Sequence, residues 1–314
     1  MLRWCCWLLV VVVVLAQAGK TRYPTIFPTL ATSSPSASPT ASPTADTKGG
    51  FKIRFLYTGS FSPAVIEAFE SAAARWKQII TTGYLSPFTI PKKTVCEYKF
   101  NRKWVVAADL LIIVKLKRID GRGNALGDAM PCVVDQFDHI RVGLMEFDSA
   151  DVGDMVQRGL FQSIVLHEMG HVLGLGTRWN KLKLITQQRS PFGGFEYLGK
   201  QGNVGNQEVG RTGSAVVEDM GDSGTARAHW KEDFYDAELM TGYVEESGTP
   251  MPLSRLTVRA LQDLGYQVDV TKADEYKAPN LELGNRLRKT KISLQGCGGS
   301  NRTVELVRSR PVLL

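Results

Sequence analysis

Residues 162–174 read QSIVLHEMGHVLG, and this segment constrains the fold more than any other part of the chain. His167 and His171 are four positions apart, so a helix places both imidazoles on one face. The apolar residues around them predict a buried helix from Phe161 to Leu173. A buried helix that carries two histidines with Glu168 between them needs a partner for these polar groups, because unpaired polar groups are costly to bury.

A zinc ion is the partner that this spacing suits best. Two imidazoles at positions i and i+4 can hold one zinc ion, and a carboxylate between them lies close enough to accept a proton from water. The sequence therefore predicts His167 and His171 as zinc ligands and Glu168 as a general base. The alternative, two histidines with only a packing role, would leave Glu168 buried without a partner.

A third protein ligand is needed, and the chain has only two other histidines. His139 lies in an apparent strand, where an ordinary structural role is the simpler interpretation. His229 is followed by Trp230 and comes eleven residues before Met240.

Together these segments resemble the leishmanolysin family of metzincin metallopeptidases, in particular its short, single-domain members. The HExxHxxG segment at 167–174, the His-Trp pair, the Glu-Leu-Met-Thr-Gly segment at 238–242 and the closing segment 252–266 carry the resemblance. It covers about residues 50–270. It implies an α+β fold of the metzincin type, with a twisted sheet and helices in an upper lobe. The lower lobe would be largely irregular or helical, with zinc in the floor of the cleft between the lobes.

The resemblance also implies roles for individual residues. One catalytic zinc ion would be bound by His167, His171 and His229, and Glu168 would be the general base. Gly174 would let the chain turn sharply out of the helix. Met240 would form an apolar floor beneath the zinc without binding it.

The third histidine would be reached only after a long insertion. Ordinary metzincins have it three residues after the glycine, and here that place is Thr177. Residues 175–228 instead resemble the insertion of the leishmanolysin family. Residues 193–224 include nine glycines, which predicts a long irregular loop rather than another packed layer.

The ends of the chain differ in composition from its middle. Residues 1–18 combine Arg3, a short apolar run and an Ala-Gln-Ala site, which predicts a secretory signal peptide. Residues 19–48 are rich in Pro, Ser and Thr and predict a linker or stalk, O-glycosylation of which is left open. The catalytic domain is expected over 49–284, followed by a basic, flexible tail over 285–314 that carries an N-glycosylation sequon at Asn301.

Within the expected domain, the pattern predicts strands and helices in mixed order. Residues 51–57 alternate like a half-buried strand, and residues 109–116 and 139–147 are apolar and β-branched. Ser62 and Pro63 predict the start of a helix, as its N-cap and first residue. This order is typical of an α+β or α/β layer. Gly121, Gly123 and Gly127 do not have dinucleotide-binding spacing and predict a glycine-rich turn.

Charge and cysteine content exclude some functions and suggest one cross-link. Net charge is +7, but residues 131–271 carry 12 basic and 20 acidic residues between two basic flanks. The basic residues match no nucleic-acid motif, so we expect no nucleic-acid partner. Signal removal would leave no membrane span and three cysteines, of which we expect Cys96 and Cys132 to pair. Oligomeric state is left open.

The sequence as a whole predicts a secreted zinc endopeptidase that acts on protein or peptide substrates. A rival zinc site would use Glu218 and Asp222, in an ExxxD pattern, in place of His229. A rival function is a secreted binding or adhesion module whose zinc site is catalytically silent.

Overall fold

The structure is a computed structural model that describes residues 50–84, 87–123, 125–190, 193–221 and 224–280, and two short strands at 292–293 and 305–307. The predicted signal peptide (1–18) and linker (19–48) lie outside the described residues. The predicted tail (285–314) is described only at the two short strands. Among the described residues, no helix is long and apolar enough to cross a membrane.

Strands and helices follow one another in mixed order, as the sequence predicts, with seven described strands between the first and second helices. The described strands are β1 (Ile53–Thr58), β2 (Phe88–Ile90), β3 (Thr94–Val95), β4 (Tyr98–Lys99), β5 (Trp104–Val106), β6 (Leu110–Lys117), β7 (Gly127–Asp135), β8 (Ile140–Asp148), β9 (Phe195–Glu196), β10 (Val216–Val217), β11 (Tyr243–Val244), β12 (Ile292–Ser293) and β13 (Glu305–Val307). The described helices are α1 (Pro63–Ile79), α2 (Val152–Gln157), α3 (Phe161–Val172), α4 (Lys200–Glu208), α5 (Glu232–Tyr235), α6 (Arg255–Asp263) and a 3-10 helix at Val270–Lys272.

A five-stranded mixed sheet forms the centre of the fold, in the order β1-β6-β8-β7-β13. β1, β6 and β8 are parallel, whereas β7 runs antiparallel to β8. Side chains alternate across β6: Leu110, Ile112 and Val114 pack into one core, and Leu111 and Ile113 into another. The fold is therefore α+β, with one apolar core on each face of the sheet. The upper and lower lobes of a metzincin remain a prediction.

Helix α1 supports the helix that carries the two histidines. Ser62 is its N-cap and accepts a hydrogen bond from the Val65 amide at 3.4 Å, and Pro63 is the first helical residue. Both predictions are confirmed. The indole nitrogen of Trp76 donates a hydrogen bond to the Leu166 carbonyl at 3.1 Å, which joins α1 to α3 within the core.

The opposite face of the sheet is covered by residues 88–106, which we call the hairpin lobe. Two antiparallel pairs, β2–β5 and β3–β4, form this lobe, and its apolar side chains pack in the second core. A disulfide joins Cys96 to Cys132 on β7. The predicted pairing of these two cysteines is confirmed.

The expectation of an irregular loop over 193–224 is wrong in part, because α4 lies within it and packs against α6. The glycines permit this packing. A Cβ atom at Gly205 would lie 2.6 Å from the Arg255 carbonyl oxygen, and one at Gly202 would lie 2.5 Å from the Tyr197 ring. The Asp263 carboxylate also accepts hydrogen bonds from the backbone amides of residues 201 and 202, at 2.9 and 2.8 Å. It therefore caps the first turn of α4.

Candidate metal centre

Three histidines from distant parts of the chain meet at one buried point. His167 and His171 lie on α3, and His229 lies 58 residues beyond His171. Their Nε2 atoms are 3.0, 3.0 and 3.2 Å apart, and all three side chains are fully buried. In the described part of the chain, these three histidines form one of two groups whose ligand atoms lie close enough together to share a metal ion.

Backbone carbonyls fix the orientation of each imidazole. The Nδ1 atom of His167 lies 2.6 Å from the Leu239 oxygen, that of His171 lies 2.9 Å from the Leu175 oxygen, and that of His229 lies 3.0 Å from a carbonyl oxygen in the preceding turn. A carbonyl can only accept, so each Nδ1 carries the proton. The three Nε2 atoms of the neutral rings therefore present lone pairs to one another, and this arrangement is suited to a cation between them.

The charge state of the rings agrees with metal binding. Burial lowers the pKa of His167 to about 3, with a further lowering from His229. Burial likewise lowers the pKa of His171 well below its usual value, helped by its two neighbours. Neutral imidazole is the form that binds metal.

The geometry suits zinc. Zinc holds imidazole nitrogens at about 2.0–2.1 Å in tetrahedral geometry, which sets the nitrogens about 3.3–3.4 Å apart. The observed separations of 3.0–3.2 Å are close to this value. The residues present therefore fit a zinc ion bound by three histidines.

Glu168 follows His167 on α3 and is fully buried. It does not belong to the group of ligand atoms that the three histidines form. A buried carboxylate next to one of these histidines on the same helix is of a chemical type that can transfer protons.

Residues 238–241 form a turn beneath the histidines, which we call the Met-turn. The Thr241 amide closes it by donating to the Glu238 carbonyl at 3.1 Å. Met240 is fully buried, and a Cβ atom at Gly170 would lie 2.8 Å from its sulfur. The methionine therefore packs directly against α3, at a position between the two helical histidines. The structure thus places Met240 where the resemblance implies an apolar floor.

The Glu238 carboxylate anchors the Met-turn to α6 and is fully buried. One of its oxygens accepts three hydrogen bonds: one from the Ser254 amide at 3.2 Å, and one each from the Ser254 and Thr257 hydroxyls at 2.6 Å. The other oxygen accepts the Met240 amide at 2.6 Å. Burial raises the pKa of Glu238, and the four donors oppose that rise. Sequence reasoning missed this residue, although it stands in the Glu-Leu-Met segment.

A second buried carboxylate holds the segment that carries His229. The Glu218 carboxylate accepts hydrogen bonds from the Lys231 ammonium at 3.2 Å and from three backbone amides at 3.0–3.1 Å. The backbone amide of Glu218 donates a hydrogen bond to the His229 carbonyl at 2.9 Å. Glu218 is therefore occupied by a lysine and backbone groups, which disfavours the rival ExxxD zinc site. Asp222 lies outside the described residues.

Two glycines let the chain leave α3 and pass beside His229. Gly174 has φ +105°, which fits the predicted sharp turn. Gly176 has φ +71°, and a Cβ atom there would lie 1.9 Å from the Ala228 carbonyl oxygen. Thr177, at the place of the usual third histidine, donates its hydroxyl to the His171 carbonyl at 2.7 Å.

The remaining histidine has a structural environment. His139 lies just before β8. Its Nδ1 atom is within hydrogen-bond distance of an Asp135 carboxylate oxygen, at 3.2 Å, and its ring stacks on Tyr84 with ring centroids 4.0 Å apart. It is not part of the histidine group, in agreement with the simpler interpretation of the sequence.

A comparison with protein families finds one match that includes this centre. The model of the leishmanolysin peptidase family matches residues 74–200 and 207–282, well over half of the chain. The matched segments contain the three histidines, Glu168 and Met240. No curated protein matches the chain.

Proposed function

The chain belongs to the leishmanolysin family of peptidases, and from this premise we propose that it is a secreted zinc-dependent endopeptidase. One observation carries the zinc proposal: three buried imidazole nitrogens face one another at 3.0–3.2 Å, each with its other nitrogen bonded to a carbonyl. The next residue after the first ligand is a buried glutamate.

In the proposed mechanism, His167, His171 and His229 hold the zinc ion. When bound, zinc would supply a Lewis acid that polarises the scissile carbonyl and lowers the pKa of water to about 7. Glu168 would accept a proton from the attacking water on its carboxylate and later give it to the leaving amine. Met240, packed against Gly170, would keep the underside of α3 apolar and dry.

Substrates would be protein or peptide chains bound in extended form. An extended peptide can pair with a sheet edge as an added strand, which fixes the scissile bond through backbone hydrogen bonds. The acidic charge of residues 131–271 is compatible with basic substrates, although net charge does not define a subsite.

Secretion is proposed from two features. Residues 1–18 have the pattern of a signal peptide. The Cys96–Cys132 disulfide is typical of proteins that mature in an oxidising compartment.

The rival function, a binding module with a silent zinc site, is less well supported. Structural zinc sites are usually closed by four protein ligands, whereas catalytic sites keep a position for water. In the described part of the chain, the group around the site contains three histidines. A ligand set of this size favours a catalytic ion.

The experiment is hydrolysis of a quenched fluorescent peptide library by residues 19–314, before and after zinc is removed with a chelator. We expect cleavage that is lost with the metal and restored by about one zinc per chain. Zinc binding without cleavage of any peptide would favour the binding module. His139→Gln is the matched control, because this histidine lies outside the metal group and should leave zinc content unchanged.

A further inference from the structure

The hairpin lobe concentrates positive charge that the proposed peptidase function does not use. Residues 88–106 contain five basic side chains and one acidic side chain, Glu97. Four of the five are exposed: Lys92, Lys99, Arg102 and Lys103. The lobe therefore presents a basic surface, although residues 131–271 have an excess of acidic residues.

Strand pairing brings these side chains together. The Phe100 amide donates to the Lys93 carbonyl at 2.9 Å, so residues 92–93 lie beside residues 100–103. Lys99 pairs with Thr94 across β3 and β4, and both are exposed. The basic residues thus lie along the two arms of one hairpin instead of being spread over the domain.

The single acidic side chain of the lobe already faces a lysine from the sheet. Glu97 lies 3.1 Å from the Lys115 ammonium. Lys115 also lies 3.2 Å from Glu146, which is buried. Glu97 therefore does little to offset the positive charge of the four exposed side chains.

The sheet separates the hairpin lobe from the metal centre. Its apolar residues Phe88, Ile90 and Val106 pack with Leu111 and Ile113 in the second core. Helices α1 and α3 pack in the first core, on the other face of the sheet. A large partner bound to the lobe would therefore lie on the other side of the sheet from the three histidines.

We infer that the hairpin lobe binds a sulfated polysaccharide chain. A linear polyanion matches a row of exposed cations and gains affinity through release of its counterions. Among the described residues of the lobe, no aromatic side chain is fully exposed: Phe88 and Phe100 are buried, and Tyr98 and Trp104 are half-buried, with their ring centroids 4.9 and 5.3 Å from that of Phe100. Stacking on nucleic-acid bases, which uses open aromatic faces, is therefore disfavoured.

A membrane surface fits the lobe less well. Binding to a bilayer usually combines basic residues with several exposed large apolar residues. In the described part of the lobe, Val105, 66% exposed, is the one large hydrophobic side chain that is exposed. Charge without such an apolar face favours a soluble polyanion.

The test measures retention on immobilised heparin across a salt gradient. The variant Lys92→Gln/Arg102→Gln/Lys103→Gln removes three charges from the lobe. Lys77→Gln/Lys200→Gln/Lys272→Gln removes three exposed charges elsewhere and is the matched control. We expect the lobe variant to elute at clearly lower salt and to bind about tenfold or more weakly. For the lobe variant, the slope of the logarithm of the heparin-binding constant against the logarithm of the salt concentration should be smaller than the wild-type slope by about 2–3. The control should stay close to the wild type.

Equal elution of the two variants would overturn the proposal, as would wild-type protein that passes through heparin but binds phosphatidylserine vesicles. Hydrogen exchange of the wild-type protein with and without heparin gives a second readout that needs no variant. Protection over residues 91–103 supports the proposal, and protection confined to other segments contradicts it. Neither readout depends on peptidase activity, so this inference can fail while the proposed function stands.

Discussion

The Leu239 carbonyl oxygen lies 2.6 Å from Nδ1 of His167, so the Met-turn sets the orientation of a proposed zinc ligand. The same turn places Met240 against Gly170 on α3. Glu238 fixes the turn by accepting hydrogen bonds from Met240 and from Ser254 and Thr257 at the start of α6. A buried carboxylate outside the ligand set therefore connects the closing helix to the metal centre.

Replacing Glu238 with Gln should weaken both the fold and the metal site. The amide keeps the shape of the carboxylate but loses one acceptor, so a buried donor is left unsatisfied. We expect a loss of about 1–3 kcal/mol in the free energy of unfolding. Zinc affinity should fall by roughly 10–100-fold, because the support of His167 is disturbed. Urea unfolding and chelator competition measure the two effects, and exposed Glu246→Gln is the control. Equal zinc affinity in both variants would contradict the positioning role.

Gly176 should be far less tolerant of a side chain than another glycine with the same backbone angle. Gly176 and Gly159 both have φ +71°. A Cβ atom at Gly176 would clash with the Ala228 carbonyl, next to His229, whereas at Gly159 it would meet nothing within 4 Å. Gly159→Ala should cost about 1 kcal/mol from backbone strain alone. Gly176→Ala should cost about 3 kcal/mol or more and reduce zinc content. Similar unfolding curves for the two variants would contradict the contact.

The Cys96–Cys132 disulfide should stabilise the hairpin lobe on the sheet. The two cysteines are 36 residues apart, and closing a loop of this length is worth about 3–4 kcal/mol in the chain-entropy model. Cys96→Ser/Cys132→Ser should therefore unfold at lower urea concentration than the wild type. Adding a reductant should destabilise the wild type to a similar degree and leave the double variant unchanged. An unchanged midpoint in the variant would contradict the prediction.

The Glu208–Arg259 pair, which joins α4 to α6, should make stability depend on acid. Arg259 donates two hydrogen bonds of 2.6 Å to Glu208, and these bonds lower the pKa of the Glu208 carboxyl. A lowered folded pKa gives stability that is present above the unfolded value of about 4.3 and is lost as pH falls through the folded value. Both side chains are partly exposed, so solvent screening limits the effect to about 1 kcal/mol or less.

The comparison for this pair is metal-free wild type against metal-free Glu208→Gln, each unfolded in urea at pH 7 and at pH 3. We expect the wild type to be more stable at pH 7 and the difference to shrink at pH 3. A difference that grows toward acid would contradict the assigned ion pair.

Local pattern was sufficient to predict α1, α3, β1, β6 and β8. In these elements apolar periodicity and caps agree with burial. The strand β7 was missed, because Pro131 lies within it. The structure accommodates this proline at an irregularity in the pairing with β8, where the register shifts.

The helix α4 was missed for a different reason. Its glycines lower helix propensity, and only the distant Arg255 backbone shows why Gly205 must lack a side chain.

The metal ligands could be proposed from spacing and resemblance, but their supports could not. Whether Glu238 meets Ser254 depends on how the closing helix packs, which no local pattern shows. The same holds for Glu218, whose ExxxD spacing suggested a ligand but whose partner is Lys231. Long-range hydrogen bonds of this kind are set by the tertiary structure alone.

The central claim is that three histidines hold one zinc ion and that Glu168 is the general base for the water that attacks the peptide bond. The most direct measurement compares wild type and Glu168→Gln for zinc content and for cleavage of the same fluorescent peptide. The account predicts about one zinc per chain in both proteins and a cleavage rate that is about 10²–10⁴-fold lower in the variant. A Glu168→Gln protein that retains zinc and cleaves the peptide as fast as the wild type would contradict it.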